Sequence, residues 1–155
     1  MPAFDTSGFL IVCDILTHAQ CDEVINALTW VHNSRAGFRN LLHESWCREL
    51  AIAVHRDARI EALVPKSNVA VQCTLFEKTA DTNWLVSLHQ DLSIPVRERI
   101  QSPDCAGWSQ KEGTIYVQPP VSVLQELSAV RVHLDESDSE NGPLRVVPGS
   151  HRHGA

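Results

Sequence analysis

The sequence predicts an α+β domain, or a β-barrel or jelly roll carrying a helical N-terminal layer, on three observations. Apolar residues recur at helical spacing up to residue 64, the apolar period drops to two from residue 69, and short apolar runs then alternate with Gly, Pro, Asn and Asp as far as residue 147. Helices come first and strands follow. Residues 1–66 are therefore read as a mainly helical layer and residues 67–155 as the strand region of one domain.

The chain opens with a short apolar run, residues 9–12, behind a Ser7-Gly8 turn. Thr17-His18-Ala19-Gln20 has the form of a capping box, in which the threonine hydroxyl and the glutamine side chain each satisfy an amide that a helix start leaves open. Behind it Cys21, Val24, Ile25, Leu28 and Val31 share one face, which predicts a helix over 18–32. A second helix is expected over 44–55, with Trp46, Leu50 and Val54 at four-residue intervals. Asp57 is placed to cap a short third one that carries Ile60, Leu63 and Val64 and ends before Pro65. Val69, Val71, Cys73 and Leu75 then alternate with Ala70, Gln72, Thr74 and Phe76, as a strand requires. Residues 85–91, 114–117, 129–134 and 144–147 are the next expected strands, the last entered through an Asn141-Gly142-Pro143 turn. Between them, residues 92–113 read as a long, mostly irregular loop of the kind that carries function or moves.

With 155 residues, 43% of them hydrophobic, the chain can bury the core of one soluble globular domain. A net charge of -6 with scattered basic residues offers a phosphate backbone no footprint, so nucleic acid is not an expected partner. No apolar run approaches the roughly 18 residues that span a bilayer. Met1-Pro2-Ala3-Phe4-Asp5 also lacks the basic and apolar regions of a signal peptide. No membrane association and a cytoplasmic location are therefore expected. The five cysteines, Cys13, Cys21, Cys47, Cys73 and Cys105, form no Cys-x-x-Cys pair and mostly sit among apolar neighbours, which points to reduced buried thiols.

Chemistry enters through His-x-Asp. In a strand, residues two apart face the same way, so an imidazole and a carboxylate can converge on one ion. They would supply two of the three ligands of the facial triad that holds ferrous iron. Three such triplets occur. His55-Arg56-Asp57 falls at the end of a helix, where the two side chains diverge by roughly 200°. His133-Leu134-Asp135 runs straight into the acidic turn Glu136-Ser137-Asp138-Ser139-Glu140 and reads as a solvated strand end. His89-Gln90-Asp91 closes an apolar run directly before the long loop, where its face can open into a pocket; the competing reading is a hydrogen-bonded histidine with no metal role.

Several stretches together resemble the phytanoyl-CoA dioxygenase family. They are Leu75-Phe76-Glu77-Lys78-Thr79, Asn83-Trp84, Leu88-His89-Gln90-Asp91-Leu92, Gln118-Pro119-Pro120, Val130-Arg131-Val132-His133-Leu134-Asp135, and Glu140-Asn141-Gly142-Pro143-Leu144-Arg145-Val146-Val147-Pro148-Gly149-Ser150-His151. The opening Gly8-Phe9-Leu10-Ile11-Val12 is similar to the family's start. The resemblance implies a double-stranded β-helix, jelly-roll and cupin-like, behind N-terminal helices. It also implies an Fe(II)- and 2-oxoglutarate-dependent dioxygenase that hydroxylates a small organic molecule, consuming dioxygen and releasing succinate and carbon dioxide. His89 and Asp91 take the place of the family's His-x-Asp iron ligands.

Gln72, on a strand 17 residues before His89, and Arg131, facing away from Val130 and Val132, are the candidates for 2-oxoglutarate contact. An outward-facing polar residue is the plainer reading of each. Trp84 and Trp108 are candidates to wall or lid the site, whereas Lys78 and Asn83 belong to the resemblance without an assigned role. His151 and His153 form another i, i+2 pair, but Pro148-Gly149-Ser150 makes a turn there and in the family this element does not hold the distal ligand. The distal histidine and the oxoacid-binding arginine are thus expected beyond Ala155, which makes the chain read as a truncated oxygenase with an incomplete barrel. Weak iron binding, poor turnover and self-association through open edges are expected of it. The alternative reading is a non-catalytic remnant of the fold that binds a ligand or a partner.

Overall fold

The computed structural model describes residues 2–29, 37–78 and 85–153. They divide into two compact units, Met1–Trp84 with Val130–His153, and a second centred on Leu85–Ala129.

In the first unit α1 (Pro2–Ser7) is a single turn begun by a proline, which loses only an amide that a first helical position leaves unbonded anyway. Gly8 ends it at φ 79° and donates to the Phe4 carbonyl at 2.8 Å. The second helix, α2 (His18–Ala27), starts at the expected capping box: Gln20 N donates to Thr17 Oγ1 at 3.3 Å and Thr17 N donates to Gln20 Oε1 at 2.9 Å. It ends with Leu28 as C-cap, earlier than its apolar spacing suggests, and Val31 lies outside the described residues. A 3-10 turn, Leu41–His43, leads into α3 (Ser45–His55), and Arg48 Nη1 donates to the Leu42 and His43 carbonyls at 2.8 and 2.6 Å. Asp57 caps α4 (Ala58–Glu61) by accepting from Arg59 N at 2.9 Å. The Arg59 guanidinium holds the same carboxylate and also donates to Cys13 O and Asp14 O at 2.7 and 3.1 Å, so one cap fixes the segment ahead of α2 as well.

These helices bury a small core of Leu28, Leu41 and Cys47, against which Val24, Phe38, Leu42, Trp46, Cys73, Leu75 and Leu134 pack. Its sheet is minimal. The pair β1 (Gly37–Phe38) and β2 (Leu75–Phe76) is antiparallel, and an isolated parallel bridge joins Asn40 to Cys73 beside it. Gly37 is needed there, because a Cβ would stand 2.9 Å from the Leu75 carbonyl oxygen. The far end of the unit returns to α1: Gly149 N donates to Ser7 O at 2.8 Å, and His151 Nε2 and Arg152 Nε lie 3.2 and 3.1 Å from Asp5 O.

The second unit is a three-stranded antiparallel sheet in the order β3 (Ile94–Val96), β5 (Thr114–Gln118), β4 (Ala106–Lys111). The β4–β5 hairpin turns through Glu112 and Gly113, both at positive φ (50° and 81°), the mirror-image turn whose twist suits a two-residue connection. A bulge between Ala106 and Ser109, with Gly107 at φ 59°, puts an extra residue on β4. The central strand β5 buries consecutive residues, Tyr116 and Val117, one on each face; Lys111 Nζ sits 4.9 Å from the Tyr116 ring centre. After Pro119-Pro120 comes one more helical turn, α5 (Val121–Leu124).

Five expectations about strands change. Residues 92–113 hold β3 and β4 rather than an irregular loop. Their strand pattern is hidden by Pro95, tolerated because β3 is an edge strand, and by the bulge that breaks alternation in β4. Conversely, residues 85–91, 129–134 and 144–147 form no strand, and of 69–76 only Leu75–Phe76 pairs in a ladder. Alternation describes a backbone able to pair, but a strand exists only where another backbone lies beside it. Neither sheet closes on itself, so the described residues make a mixed helix-and-strand structure with small antiparallel sheets.

Candidate metal centre

His89 and Asp91 lie on the segment that leads into β3, a segment with no ladder partner among the described residues. Their side chains nevertheless converge, with Nε2 of His89 3.7 Å from Oδ1 of Asp91. The other ring nitrogen, Nδ1, lies 2.8 Å from the Ser87 carbonyl oxygen. A carbonyl can only accept, so this contact puts a proton on Nδ1, and in the neutral ring Nε2 then carries the lone pair. Two electron-pair donors thus face one another. A cation or a proton between them removes the conflict.

The pair fits a metal ion in part. Neighbouring ligands of a six-coordinate ion, each about 2.1 Å from it, stand about 3 Å apart. With 55% of the His89 side chain and 99% of that of Asp91 exposed, small rotations can close the difference and an ion can reach both. The backbone carbonyl behind His89 is the partner that metal-bound histidines commonly use to fix ring orientation. Among the described residues no group of three His, Cys, Asp or Glu side chains is placed to hold an ion.

The other two His-x-Asp triplets are engaged differently. His55 Nε2 lies 3.2 Å from Pro65 O, while Asp57 serves Arg59 and the α4 cap. His133 and Asp135 are exposed ahead of an acidic turn that satisfies itself: Asp138 Oδ1 accepts from Glu140 N and Asn141 N at 2.8 and 3.1 Å, and Asn141 Nδ2 donates to Glu136 O at 2.6 Å. Gln72 and Arg131, in the first unit, are both exposed, with Gln72 Nε2 donating to Thr74 Oγ1 at 2.8 Å. Lys78 lies against the turn, its Nζ 3.1 Å from where a Cβ on Gly142 would stand. The ring of His151 is packed over Gly8, and Trp108 lies under the Arg99 guanidinium, 5.8 Å from ring centre to Cζ. Asn83 and Trp84 lie outside the described residues.

Sequence reasoning missed Ser87, and no side-chain signal could have found it, because the group that orients His89 is a backbone carbonyl. No helix among the described residues is long and apolar enough to cross a membrane. Neither a curated protein nor a solved structure matches the chain. A family model does: the one described as phytanoyl-CoA dioxygenase (PhyH) matches residues 4–155.

Proposed function

The chain belongs to the phytanoyl-CoA dioxygenase family, and on that premise we propose that it is an Fe(II)- and 2-oxoglutarate-dependent dioxygenase acting on a small organic molecule, with His89 and Asp91 as iron ligands. The double-stranded β-helix of that family is the frame proposed for it. The observation that supports the site is the orientation of His89, whose Nδ1 contact with Ser87 O leaves Nε2 facing the Asp91 carboxylate.

Held by His89 and Asp91, ferrous iron would supply the oxidative chemistry that couples decarboxylation of 2-oxoglutarate to hydroxylation of a substrate C–H bond by dioxygen. The chain's own contribution is to present two donors on one side and leave the remaining positions open. The Ser87 carbonyl keeps the Nδ1 proton in place, so that Nε2 binds without first losing one. For Arg131 and Gln72, both exposed in the first unit, a 2-oxoglutarate contact is proposed on their chemistry alone, the guanidinium as a two-pronged donor to a carboxylate and the amide as a neutral donor.

Anaerobic Fe(II) titration tests the ligands directly, with succinate release from 2-oxoglutarate followed in parallel in air with ascorbate. His89→Ala and Asp91→Ala are each expected to weaken iron binding by about a hundredfold or more, since even the groups that merely orient metal ligands are worth 10- to 100-fold. Variants that bind iron as tightly as the parent chain would overturn the assignment.

A further inference from the structure

We propose that Cys47 and Cys73 are a dithiol switch: an oxidant-responsive pair that closes to a disulfide between α3 and the segment entering β2. Both cysteines are free, and they meet inside the core of the first unit. Cys47 is 1% exposed within the cluster of Leu28 and Leu41, and Cys73 packs against that cluster from the strand side. Cys73 thus packs against the cluster that contains Cys47, with no other cysteine in it. The backbone at Cys73 is fixed by its bridge to Asn40 and by Leu41 N donating to Cys73 O at 3.4 Å, and Leu41 belongs to the same buried cluster as Cys47. Cys13, Cys21 and Cys105 have no place in that cluster.

The two sulfurs differ in a way that orders the steps. Burial, reinforced by the neighbouring thiol, pushes Cys47 up to about 12, so it is a poor thiolate. Cys73 is only partly buried and is the one that hydrogen peroxide can meet. Its thiolate attacks one peroxide oxygen, breaking the O–O bond and giving a sulfenic acid and hydroxide, which becomes water with the proton that Cys73 gave up. Cys47 sulfur then displaces hydroxide from the Cys73 sulfur; the S–S bond forms as the S–O bond breaks, and the Cys47 proton leaves with the hydroxide as water. Two thiols have given two electrons, and one peroxide has become two waters. An external dithiol reverses the change by exchange.

The test is a non-reducing peptide map of the full chain after graded hydrogen peroxide and a thiol-blocking quench. The expected result is one linked peptide pair containing Cys47 and Cys73, lighter than the two reduced peptides by two hydrogens, together with a fall from five to three blockable thiols. The linkage should vanish on dithiothreitol treatment, and the oxidised chain should unfold several degrees higher, because the bond constrains the unfolded state. Cys73→Ala, at the less buried position, should leave Cys47 reduced and blockable after denaturation at the same peroxide dose. A map in which exposed Cys13 is oxidised while Cys47 and Cys73 stay reduced overturns the proposal. So does linkage of Cys73 to another cysteine, or its advance to sulfinic acid with Cys47 still free.

Discussion

Asp57 both caps α4 and grips Arg59, and hydrogen bonds from that arginine hold its carboxyl at about 2, below its ordinary 3.8. The folded state therefore binds the ionised form. Its contribution is complete above the ordinary carboxylate value and is lost as pH falls through about 2. Urea midpoints should accordingly show Asp57→Asn less stable than the parent at pH 5, with the gap closing as pH approaches 2; a gap independent of pH would mean the carboxylate charge is not the cause. Trp46 poses the opposite case. Its indole N–H is buried with no partner among the described residues, so Trp46→Phe removes an unsatisfied donor along with some packing. The net change is expected within about 1 kcal/mol by denaturant unfolding, against the roughly 3–5 kcal/mol of truncating a buried tryptophan to alanine.

Local chemistry decides which elements could be read in advance. The α2 start was legible because Thr17 and Gln20 satisfy each other's amides within four residues, whatever the rest of the chain does. Thr17→Ala should cost about 1 kcal/mol and reduce helical circular dichroism near the unfolding midpoint. The α3 face and the Asp57 cap were readable for the same reason, and so was β5 within its observed bounds. The hairpin was not, since Glu112-Gly113 lacks the Asn-Gly or Asp-Gly signature and Gly107 breaks the alternation of β4. Gly113, at φ 81° with open space where a Cβ would go, separates conformational strain from crowding. Gly113→Val should loosen the hairpin, seen as faster amide exchange at Thr114 and Tyr116, while Gly113→Asn should leave it nearly unchanged. Within the candidate site, the His-x-Asp spacing was visible in the sequence, whereas the Ser87 carbonyl that orients the imidazole was not.

At the scale of the molecule, the strands that were expected and did not form share one property: alternating residues with no ladder partner among the described residues, among them Leu85 at 98%, Val69 at 78% and Leu88 at 72% exposure. Amides of residues 85–91 should therefore exchange quickly in the metal-free chain, and Fe(II) or a redox-inert surrogate such as Mn(II) should slow exchange around Ser87 and His89 if the proposed ligands bind it. The first unit also has an ordering in time built into its connectivity. Its buried residues Leu28, Leu41 and Cys47 lie before residue 84, yet Leu134, which packs against them, and the bonds from Gly149, His151 and Arg152 that hold α1 come much later in the chain. The sheet of the second unit, by contrast, is completed by neighbours within residues 94–118. During synthesis the later-emerging sheet can finish while the earlier-emerging helices still wait for their last contacts, so the order of translation and the order of folding run in opposite directions.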